Sequence, residues 1–492
     1  MTMTPSPSLR EAVRAHRCMV ATGHPLAAAA ALNLLREGGS AVDAAIGADA
    51  VLGVVEPMAT SIGGDLLAML VPAQGPAHCY NGTGRAPAAL SPEQVARLPG
   101  ARIPERHAYS VTTPGVVRGW HDLHQRHGRL DWPRLFTAAI EAAQQGFPVA
   151  PVAAREWALF EPVLRADLHC AALYRAGRTP RAGERFSNPE LAAVLRAIAE
   201  GGWQAFYHGA VANAVARASQ ERGGLLSTED LAAHSGNFDE PLSASFRGLQ
   251  VLECPPNTHG VAVLDALRAI ESLDLDTNRP RAMAQLVDAM AEAMANARRT
   301  VADPSGNTVC TVVVDGDGLA VTLMSSIFKR FGSGIAVPGC GFVLQNRGFG
   351  FAGLDHINGP AGGKRPFHTV VPGAALRDGR FHAAFGVVGG LMQPQGHLQL
   401  LLRLAAWQQP LQQAIDAPRW RLEPDNRLAV EAGMPDDFTK ALRAAGYAEP
   451  AAGAGELAGR SDFGGAQVVL REEDGRLAGG TDPRKDGMAC GD

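Results

Sequence analysis

The sequence predicts a mixed α/β (α+β) protein in which a buried β-hairpin packs between layers of helix and sheet. Three observations support this prediction: helical patterns near the N terminus, a hairpin pattern after residue 306 and an apolar content that can supply a large core. Apolar residues make up 46% of the 492-residue chain and charged residues 19%, which is typical of a globular fold. A chain of this length can hold two or three domains or form one large layered unit.

The N-terminal part of the chain has helical patterns. A segment rich in alanine and leucine begins at Pro25 and ends at Gly38, and helices favour proline in the first turn and glycine just past the last. Ser40 can cap the helix that follows, in which Val42 and Ile46 share one face. We therefore expect two core helices here.

The strand patterns are strongest in two places. Gly63-Gly64 precedes an apolar strand at 66–71, and this pair is expected to let backbone pass close to a neighbouring strand or pocket. Two apolar runs, 307–314 and 319–324, flank an Asp-Gly-Asp-Gly turn, which predicts a β-hairpin. Both runs are too apolar for a surface ribbon, so the hairpin should be buried between layers.

Thr308 stands at the start of this hairpin, a position that suits one chemistry. If the peptide bond between Asn307 and Thr308 is cut, Thr308 gains a free α-amine beside its hydroxyl. The hydroxyl can then act as a nucleophile, and the α-amine, with a reference pKa of ~7.7–8.0, can act as its base. A lone threonine in a strand is otherwise an ordinary β-sheet residue, so this interpretation depends on the surrounding pattern.

The pattern around Thr308 resembles the self-cleavage site of the γ-glutamyltransferase family, which belongs to the N-terminal-nucleophile (Ntn) hydrolases. In that family a threonine opens the small subunit and is followed by a pattern like Val-Val-Asp-x-Asp-Gly-x-Ala-Val. The matching residues here are Thr308, Asp315, Asp317, Gly318, Ala320, Val321 and the loop Phe331-Gly332-Ser333-Gly334. The similarity extends from about residue 18 to the C terminus. It implies a four-layer αββα Ntn-hydrolase sandwich with two stacked, mostly antiparallel sheets.

The resemblance also implies how the chain is organised and what it does. The chain would cut itself between Asn307 and Thr308 into a large subunit, 1–307, and a small catalytic subunit, 308–492, which stay intertwined as one structural domain and one heterodimer. Whether two such units associate is left open. Thr308 would form an acyl-enzyme with a small-molecule amide, then hydrolyse it or transfer the acyl group. This chemistry needs no cofactor and no metal.

Four residues are assigned to catalysis by the resemblance. Thr308 is the nucleophile. Gly389 and Gly390 correspond to the pair whose backbone N–H groups form the family's oxyanion hole, where one donor contributes on the order of 3 kcal/mol. Ser326 falls where the family has a second threonine that hydrogen-bonds the nucleophile, although an ordinary loop hydroxyl explains a serine there equally well.

The family's binding group for the α-carboxylate of a glutamyl substrate is altered. Alignment on Ala86-Pro87 places Thr83 and Gly84 at an Arg-Glu pair, whose arginine holds that carboxylate. Arg85 lies two positions from the arginine's place and is predicted to bind substrate. A planar guanidinium is hard to replace where the target is a carboxylate.

The other substrate-binding positions differ as well. Phe328 and Gly350 stand where glutamyl-specific relatives have an asparagine and an aspartate that bind the substrate's amine. Arg347 replaces a neighbouring polar residue, and His368 and Thr369 replace paired serines. Arg347, His368 and Thr369 are predicted to bind substrate, with Arg347 and His368 holding a small anion. A structural ion pair for Arg347 and a satisfied core histidine are equally good interpretations.

Two substrate classes remain open from the sequence. The Ser-Ile-Phe and Gln-Pro-Gln-Gly-His motifs resemble the subgroup that includes oxamate amidohydrolase, which favours small-acid amides such as oxamate. γ-Glutamyl compounds such as glutathione are the alternative, because fold does not determine substrate.

Composition excludes several other partners. The net charge of −4 provides no basic surface for nucleic acid. The seven cysteines are scattered without a Cys-x-x-Cys pair, which argues against a disulfide framework and a zinc site.

No run of residues approaches the ~18 apolar residues of a membrane span. Residues 1–17 are expected to form a loose leader without a signal-peptide core, so we predict a cytoplasmic enzyme without a membrane partner.

Two other functional classes are considered. An uncleaved, inactive member of the family could serve as a small-molecule binding protein, because an internal Thr308 has no free amine. A Ser-His-Asp hydrolase is the weaker alternative, since the chain contains no Gly-x-Ser-x-Gly sequence.

Overall fold

The structure is a computed structural model that describes residues 10–174, 178–301, 307–423, 425, 427–447 and 463–492. In chain order, the strands are β1 (Val13–Ala15), β2 (Met19–Thr22), β3 (Asp65–Val71), β4 (His78–Asn81), β5 (Phe147–Pro148), β6 (Arg185–Phe186), β7 (Asn237–Asp239), β8 (Leu242–Phe246), β9 (Leu249–Glu253), β10 (Asn307–Val314), β11 (Ala320–Phe328), β12 (Ala336–Val337), β13 (Phe342–Val343), β14 (Gly373–Arg377), β15 (Arg380–Val388), β16 (Trp420–Leu422), β17 (Leu428–Val430), β18 (Gly465–Arg471), β19 (Leu477–Thr481) and β20 (Met488–Gly491).

The α-helices follow the same chain order. They are α1 (Pro25–Arg36), α2 (Ala41–Val55), α3 (Pro92–Ala96), α4 (Val116–His127), α5 (Thr137–Gln145), α6 (Pro151–Leu159), α7 (Glu161–Arg165), α8 (Leu168–Leu173), α9 (Pro189–Gly201), α10 (Gln204–Tyr207), α11 (Gly209–Gln220), α12 (Thr228–Ala232), α13 (Gly260–Ile270), α14 (Arg279–Thr300), α15 (Met392–Leu401), α16 (Leu411–Asp416) and α17 (Asp436–Ala444).

Two seven-stranded sheets form the centre of the fold. The first has the strand order β1-β19-β18-β15-β14-β9-β8, and the second has the order β20-β2-β10-β11-β3-β4-β7. Every neighbouring pair of strands within them is antiparallel. Both sheets combine strands that precede residue 307 with strands that begin at or after it. The proposed division into subunits 1–307 and 308–492 stays a prediction.

Three apolar cores separate four layers. In β3, Leu66, Ala68 and Leu70 pack into the core shared with α1 and α2, whereas Leu67 and Met69 face the core between the two sheets. A third core joins the outer face of the first sheet to α13, α14 and α15. Burial on both faces explains why these strands are almost continuously apolar, since successive side chains point to opposite faces. The predicted αββα arrangement is confirmed.

The two predicted N-terminal helices are confirmed, and their caps explain their bounds. α1 begins at Pro25, where the Nδ1 atom of His24 accepts the N–H of Leu26 at 3.2 Å. Ser40 caps α2 and exchanges hydrogen bonds with Asp43 in a capping box.

The hairpin of β10 and β11 is tied to α2 through its turn. Asp315 Oδ1 accepts the N–H groups of Asp317 and Leu319, each at 3.0 Å, while Oδ2 accepts the N–H of Ala41 at 2.9 Å. A carboxylate is favourable at a helix N terminus because the free N–H groups there carry partial positive charge. One aspartate of the turn therefore both shapes the hairpin and docks it on the buried helix.

The chain ends are more ordered than the predicted loose leader. Val13–Ala15 forms β1 and pairs with β19, so the expectation of a loose 10–17 is wrong, and residues 1–9 lie outside the described part. The backbone N–H of Asp492 donates to the carbonyl of Cys18 at 3.2 Å, which ties the C terminus beside β2. No helix in the described ranges is long and apolar enough to cross a membrane.

A buried charge cluster holds the C-terminal segment to residues that flank β16 and β17. Asp482 accepts from Arg419 at 2.7 Å and from Arg484 at 2.9 Å, and Arg484 also donates to Glu431 at 2.7 Å. Burial alone would raise the pKa of Asp482, but the two guanidinium groups outweigh it and lower the pKa to about 2.

We expect Asp482→Asn to lower the free energy of unfolding by about 3 kcal/mol at pH 7, because it leaves two buried guanidinium groups without their shared carboxylate. A depressed pKa adds stability above the unfolded value of ~3.9, and this is lost as pH falls to about 2. The difference in urea midpoint between wild type and variant should therefore shrink below pH 4. Asp474→Asn, at an exposed pair with Arg476, is the control and should leave the midpoint unchanged.

Candidate active site

Thr308 lies at an irregularity in the pairing of β10 with β11. Asn307 pairs with Phe328, and Val309 pairs with Ser325, so Ser326 and Ile327 of β11 together oppose Thr308. This two-against-one pairing is a β-bulge, a feature that re-aims side chains next to active sites. Thr308 is only 1% exposed.

The backbone opposite the predicted cleavage bond is strained. Phe328 has a φ of 74°, in the left-handed region that bulky residues rarely occupy. Its N–H donates to Ser326 Oγ at 2.9 Å, which holds this conformation. The strained residue pairs directly with Asn307, and strain of this kind concentrates at functional sites.

Gln393 of α15 contacts the hydroxyl of Thr308. Its Nε2 atom donates to Thr308 Oγ1 at 2.9 Å, and its Oε1 atom accepts the N–H of Val371, also at 2.9 Å. Sequence analysis assigned no role to Gln393. Its only signal was membership of the Gln-Pro-Gln-Gly-His motif, which does not tell which glutamine reaches Thr308.

Gly389 and Gly390 form the turn from β15 into α15 and thereby deliver Gln393 to Thr308. Their φ values are 122° and 63°, which favours glycine at both positions. Among the described residues, neither N–H donates to an acceptor. Both are therefore available for a further hydrogen bond at the start of the helix.

Asp65 is a buried centre that sequence analysis did not identify. It opens β3 and pairs with Ser326 across the sheet. Its Oδ1 atom accepts the N–H of Gly84 at 2.8 Å and Nε2 of Gln345 at 2.9 Å. Its Oδ2 atom lies 3.3 Å from Nε2 of His368. The only signal in the sequence was its place directly after Gly63-Gly64.

Arg347 joins Asp65 to the bulge. Its Nε atom lies 3.6 Å from Asp65 Oδ2, its Nη1 atom donates to Thr369 Oγ1 at 3.1 Å, and its Nη2 atom donates to Ser326 Oγ at 3.2 Å. The guanidinium stacks on Phe328 at 4.1 Å from the ring centroid. Arg347 is fully buried, so these contacts act in a low-dielectric environment.

The charges of this group follow from its burial. Burial lowers the pKa of Arg347 to about 9, and the charge of Asp65 opposes that decrease. Burial, followed by the positive charge of Arg347, lowers the pKa of His368 to about 4, so His368 is neutral at pH 7. Burial alone would raise the pKa of Asp65, but the nearby N–H group of His368 and the charge of Arg347 lower it. The group therefore contains one ion pair and a neutral imidazole.

Gly63 and Gly64 let neighbouring backbone approach closely beside Asp65. A Cβ atom at Gly64 would lie 2.3 Å from the carbonyl oxygen of Ser326, and one at Gly63 would lie 2.3 Å from that of Val343. This confirms the expectation that Gly63-Gly64 permits a close backbone approach.

Two positions of the family's glutamyl-binding group are filled by backbone. A Cβ atom at Gly84 would lie 1.6 Å from the carbonyl oxygen of Thr113, and one at Gly350 would lie 2.8 Å from that of Phe367. Thr83 is fully buried and donates to Asn81 Oδ1 at 2.6 Å. No longer side chain fits at Gly84 unless the Thr113 segment moves.

The predicted site residues divide into two sets. Next to the bulge that holds Thr308, Arg347 and His368 contact Asp65, Ser326 pairs with it, and Thr369 binds Arg347. Arg85, in contrast, is exposed and donates to the carbonyl of Gly363 at 3.1 Å. The structure does not bring Arg85 into this set. In the described part of the chain, no group of His, Cys, Asp or Glu side chains is arranged to hold a metal ion.

Comparison with known proteins gives a consistent result. The family model described as Gamma-glutamyltranspeptidase matches residues 27–310 and 304–491. "Glutathione hydrolase-like YwrD proenzyme" of Bacillus subtilis is 31% identical, and "Oxamate amidohydrolase proenzyme" of Klebsiella pneumoniae is 33% identical; each alignment covers 96% of this chain and 98% of the relative. The crystal structure of cephalosporin acylase from Bacillus halodurans matches with a TM-score of 0.90 and 34% identity, covering 99% of this chain and 98% of that one. The chain therefore belongs to the gamma-glutamyltranspeptidase family.

Proposed function

We propose that this protein is an Ntn amidohydrolase that cuts itself before Thr308 and then uses Thr308 as its nucleophile on a small anionic amide. The proposal is supported by the bulge at Thr308, by the donor from Gln393 to its hydroxyl and by the family. Two relatives above 30% identity are named as proenzymes.

Self-cleavage begins with attack of Thr308 Oγ1 on the carbonyl carbon of Asn307. The peptide nitrogen leaves that carbon and takes up a proton, so the bond to nitrogen is replaced by an ester to Oγ1. Water then hydrolyses the ester, giving a carboxylate on Asn307 and a free amine on Thr308. The left-handed Phe328 opposite Asn307 supports this step, since strain beside the bond raises the energy of the uncut state.

Turnover uses the hydroxyl and the new amine together. The amine accepts the hydroxyl proton while Oγ1 attacks the substrate amide, and Gly389 and Gly390 donate their N–H groups to the developing oxyanion. The proton then passes to the leaving amine, which departs and leaves an acyl ester on Thr308. Water, deprotonated by the same amine, releases the acid.

The position of Arg347 is the observation that carries the substrate class. Its Nη2 atom contacts Ser326, which opposes Thr308 on the adjacent strand, where side chains start roughly 5 Å apart. A guanidinium so close to the nucleophile suits a carboxylate bonded directly to the scissile carbonyl, as in oxamate. A γ-glutamyl group places its α-carboxylate several carbon atoms away.

Glutathione-type substrates are the alternative, because a relative is named for glutathione hydrolysis. The backbone that fills the space at Gly84 and Gly350 argues against it, since neither the glutamate of the Arg-Glu pair nor the aspartate can occupy those positions here. The proposed enzyme is a heterodimer of 1–307 and 308–492.

Thr308→Ala should abolish self-cleavage, because it removes the only atom that attacks Asn307. Intact-mass measurement of purified wild type should give two chains, 1–307 and 308–492, and the variant one chain. Thr308→Ser keeps a hydroxyl and should still be cut, and Thr311→Ala, in the same strand, should be cut like wild type. An uncut wild type would favour the alternative of an inactive small-molecule binding protein.

Arg347→Lys should lower kcat/KM for oxamate by roughly 10- to 100-fold, because a lysine cannot reproduce a paired guanidinium contact. The loss should be much smaller for oxamide, in which a carboxamide replaces the carboxylate. Arg85→Lys, at the exposed position, should leave both values unchanged. An equal loss on both substrates would assign Arg347 to the scaffold and not to the carboxylate.

Substrate choice is tested on the cleaved wild type itself. We expect kcat/KM for oxamate to exceed that for γ-glutamyl-p-nitroanilide by about 100-fold or more, the loss typical of an unpaired buried charge. Turnover of the glutamyl compound or of glutathione at a rate equal to that of oxamate would refute the small-anion proposal and leave the Thr308 mechanism intact.

A further inference from the structure

Three buried glutamines on α15 provide a comparison within one helix. Gln395 accepts the N–H of Leu422 at 2.6 Å and donates to its carbonyl at 3.2 Å. Gln399 does the same with Trp420, at 3.0 and 2.9 Å. Both amides therefore bind the backbone of β16 with both ends, which is a structural role.

Gln393 differs from them because only one of its ends binds backbone. Its oxygen accepts the N–H of Val371, a group that cannot accept a hydrogen bond in return. This contact determines the orientation of the amide, so the nitrogen must face Thr308. Thr308 Oγ1 is therefore an acceptor in this contact, and its own proton must point elsewhere.

We propose that Gln393 is a further catalytic residue, a neutral donor that orients the hydroxyl of Thr308 and stabilises the negative charge that grows on its oxygen. The proposal rests on the assignment of Thr308 as nucleophile. With one lone pair of Oγ1 occupied by Gln393, the hydroxyl proton is directed toward the base, and the N–H···O contact strengthens as Oγ1 loses that proton.

The Gln393 side chain suits its position beside Thr308 because it is a neutral amide. A lysine or arginine would bring a second buried cation and disfavour protonation of the nearby α-amine, whereas a carboxylate could not donate. Titratable groups on the elements that hold Gln393 are His397 in α15, which is 2.8 Å from Glu253, and His368 in the segment before Val371. Because these groups are common to wild type and variants, a ratio of rates cancels their titration.

Gln393→Glu is the sharpest test. The glutamate keeps the length and the acceptor for Val371, but its second oxygen donates to Thr308 only while the carboxyl is protonated. We expect the rate of self-cleavage, divided by that of wild type, to fall at least about 10-fold between pH 5 and pH 8. Gln393→Met has no donor at any pH, so its ratio should be lowered about 10- to 100-fold and stay constant with pH.

Gln399→Glu is the matched control, because it places the same new carboxyl on the same helix away from Thr308. The rate of self-cleavage of this variant, divided by that of wild type, should stay constant between pH 5 and pH 8. Its folding is followed by near-ultraviolet circular dichroism. For variants that are cut, turnover of oxamate should show a lower kcat at unchanged KM, since Gln393 holds the nucleophile and not the substrate.

The two proposals fail in different ways. If wild type itself is not cut, the Thr308 mechanism fails. If wild type is cut, Gln393→Met is within about twofold of it, and the Gln393→Glu ratio does not change with pH, then the role of Gln393 is overturned while that of Thr308 stands. If Gln393→Glu does not fold, the rate of self-cleavage of Gln393→Met alone tests the role of Gln393.

Discussion

At Thr308 two residues of β11 stand opposite one residue of β10, and this register shift determines where the polar groups of the site lie. A regular ladder would place a single side chain across from Thr308. The bulge instead turns Ser326 toward Arg347 and forces Phe328 into the left-handed region. Because β10 and β11 are buried between α2 and the first sheet, the surrounding packing can hold a conformation that an isolated hairpin would relax.

The second requirement is the compensation of buried charge. An uncompensated carboxylate at the position of Asp65 would be costly, yet a backbone N–H, an amide, an imidazole and a guanidinium surround it. These contacts make Asp65 the anchor that holds Arg347 and His368 in place. Arg347 in turn reaches the bulge, so a single buried carboxylate connects the anion-binding side of the proposed site to the nucleophile's side.

The chain therefore keeps the fold of its family although residues at the proposed substrate-binding positions differ. Where glutamyl-specific relatives are expected to carry long polar side chains, this chain has Gly84 and Gly350, and neighbouring carbonyl groups take up the space. Backbone that fills the space beside a buried glycine is difficult to displace, because the protein interior is close-packed. The proposed selectivity for a small anion rests as much on the space that is filled as on the groups that bind.

The amino-acid sequence alone predicted the buried hairpin, because apolar patterning and turn residues are local in the chain. The layered fold and the place of Thr308 followed from the resemblance of a spaced motif to a known family. The sequence also predicted that Arg347, His368 and Thr369 bind substrate, but not that Arg347 and His368 meet at one carboxylate while Thr369 binds Arg347. Arg85 was predicted to bind substrate although it lies two positions from the family's arginine, and the leader was predicted to be loose because its partner strand lies at the other end of the sequence.

Only the tertiary structure decided the contacts of Asp65 and Gln393. Asp65 meets residues that lie 280 or more positions away along the chain, and Gln393 is one of three buried glutamines on the same helix. Which amide faces Thr308 depends on how α15 is rotated against the first sheet. That rotation is set by the packing of its apolar side chains, and no local pattern encodes it.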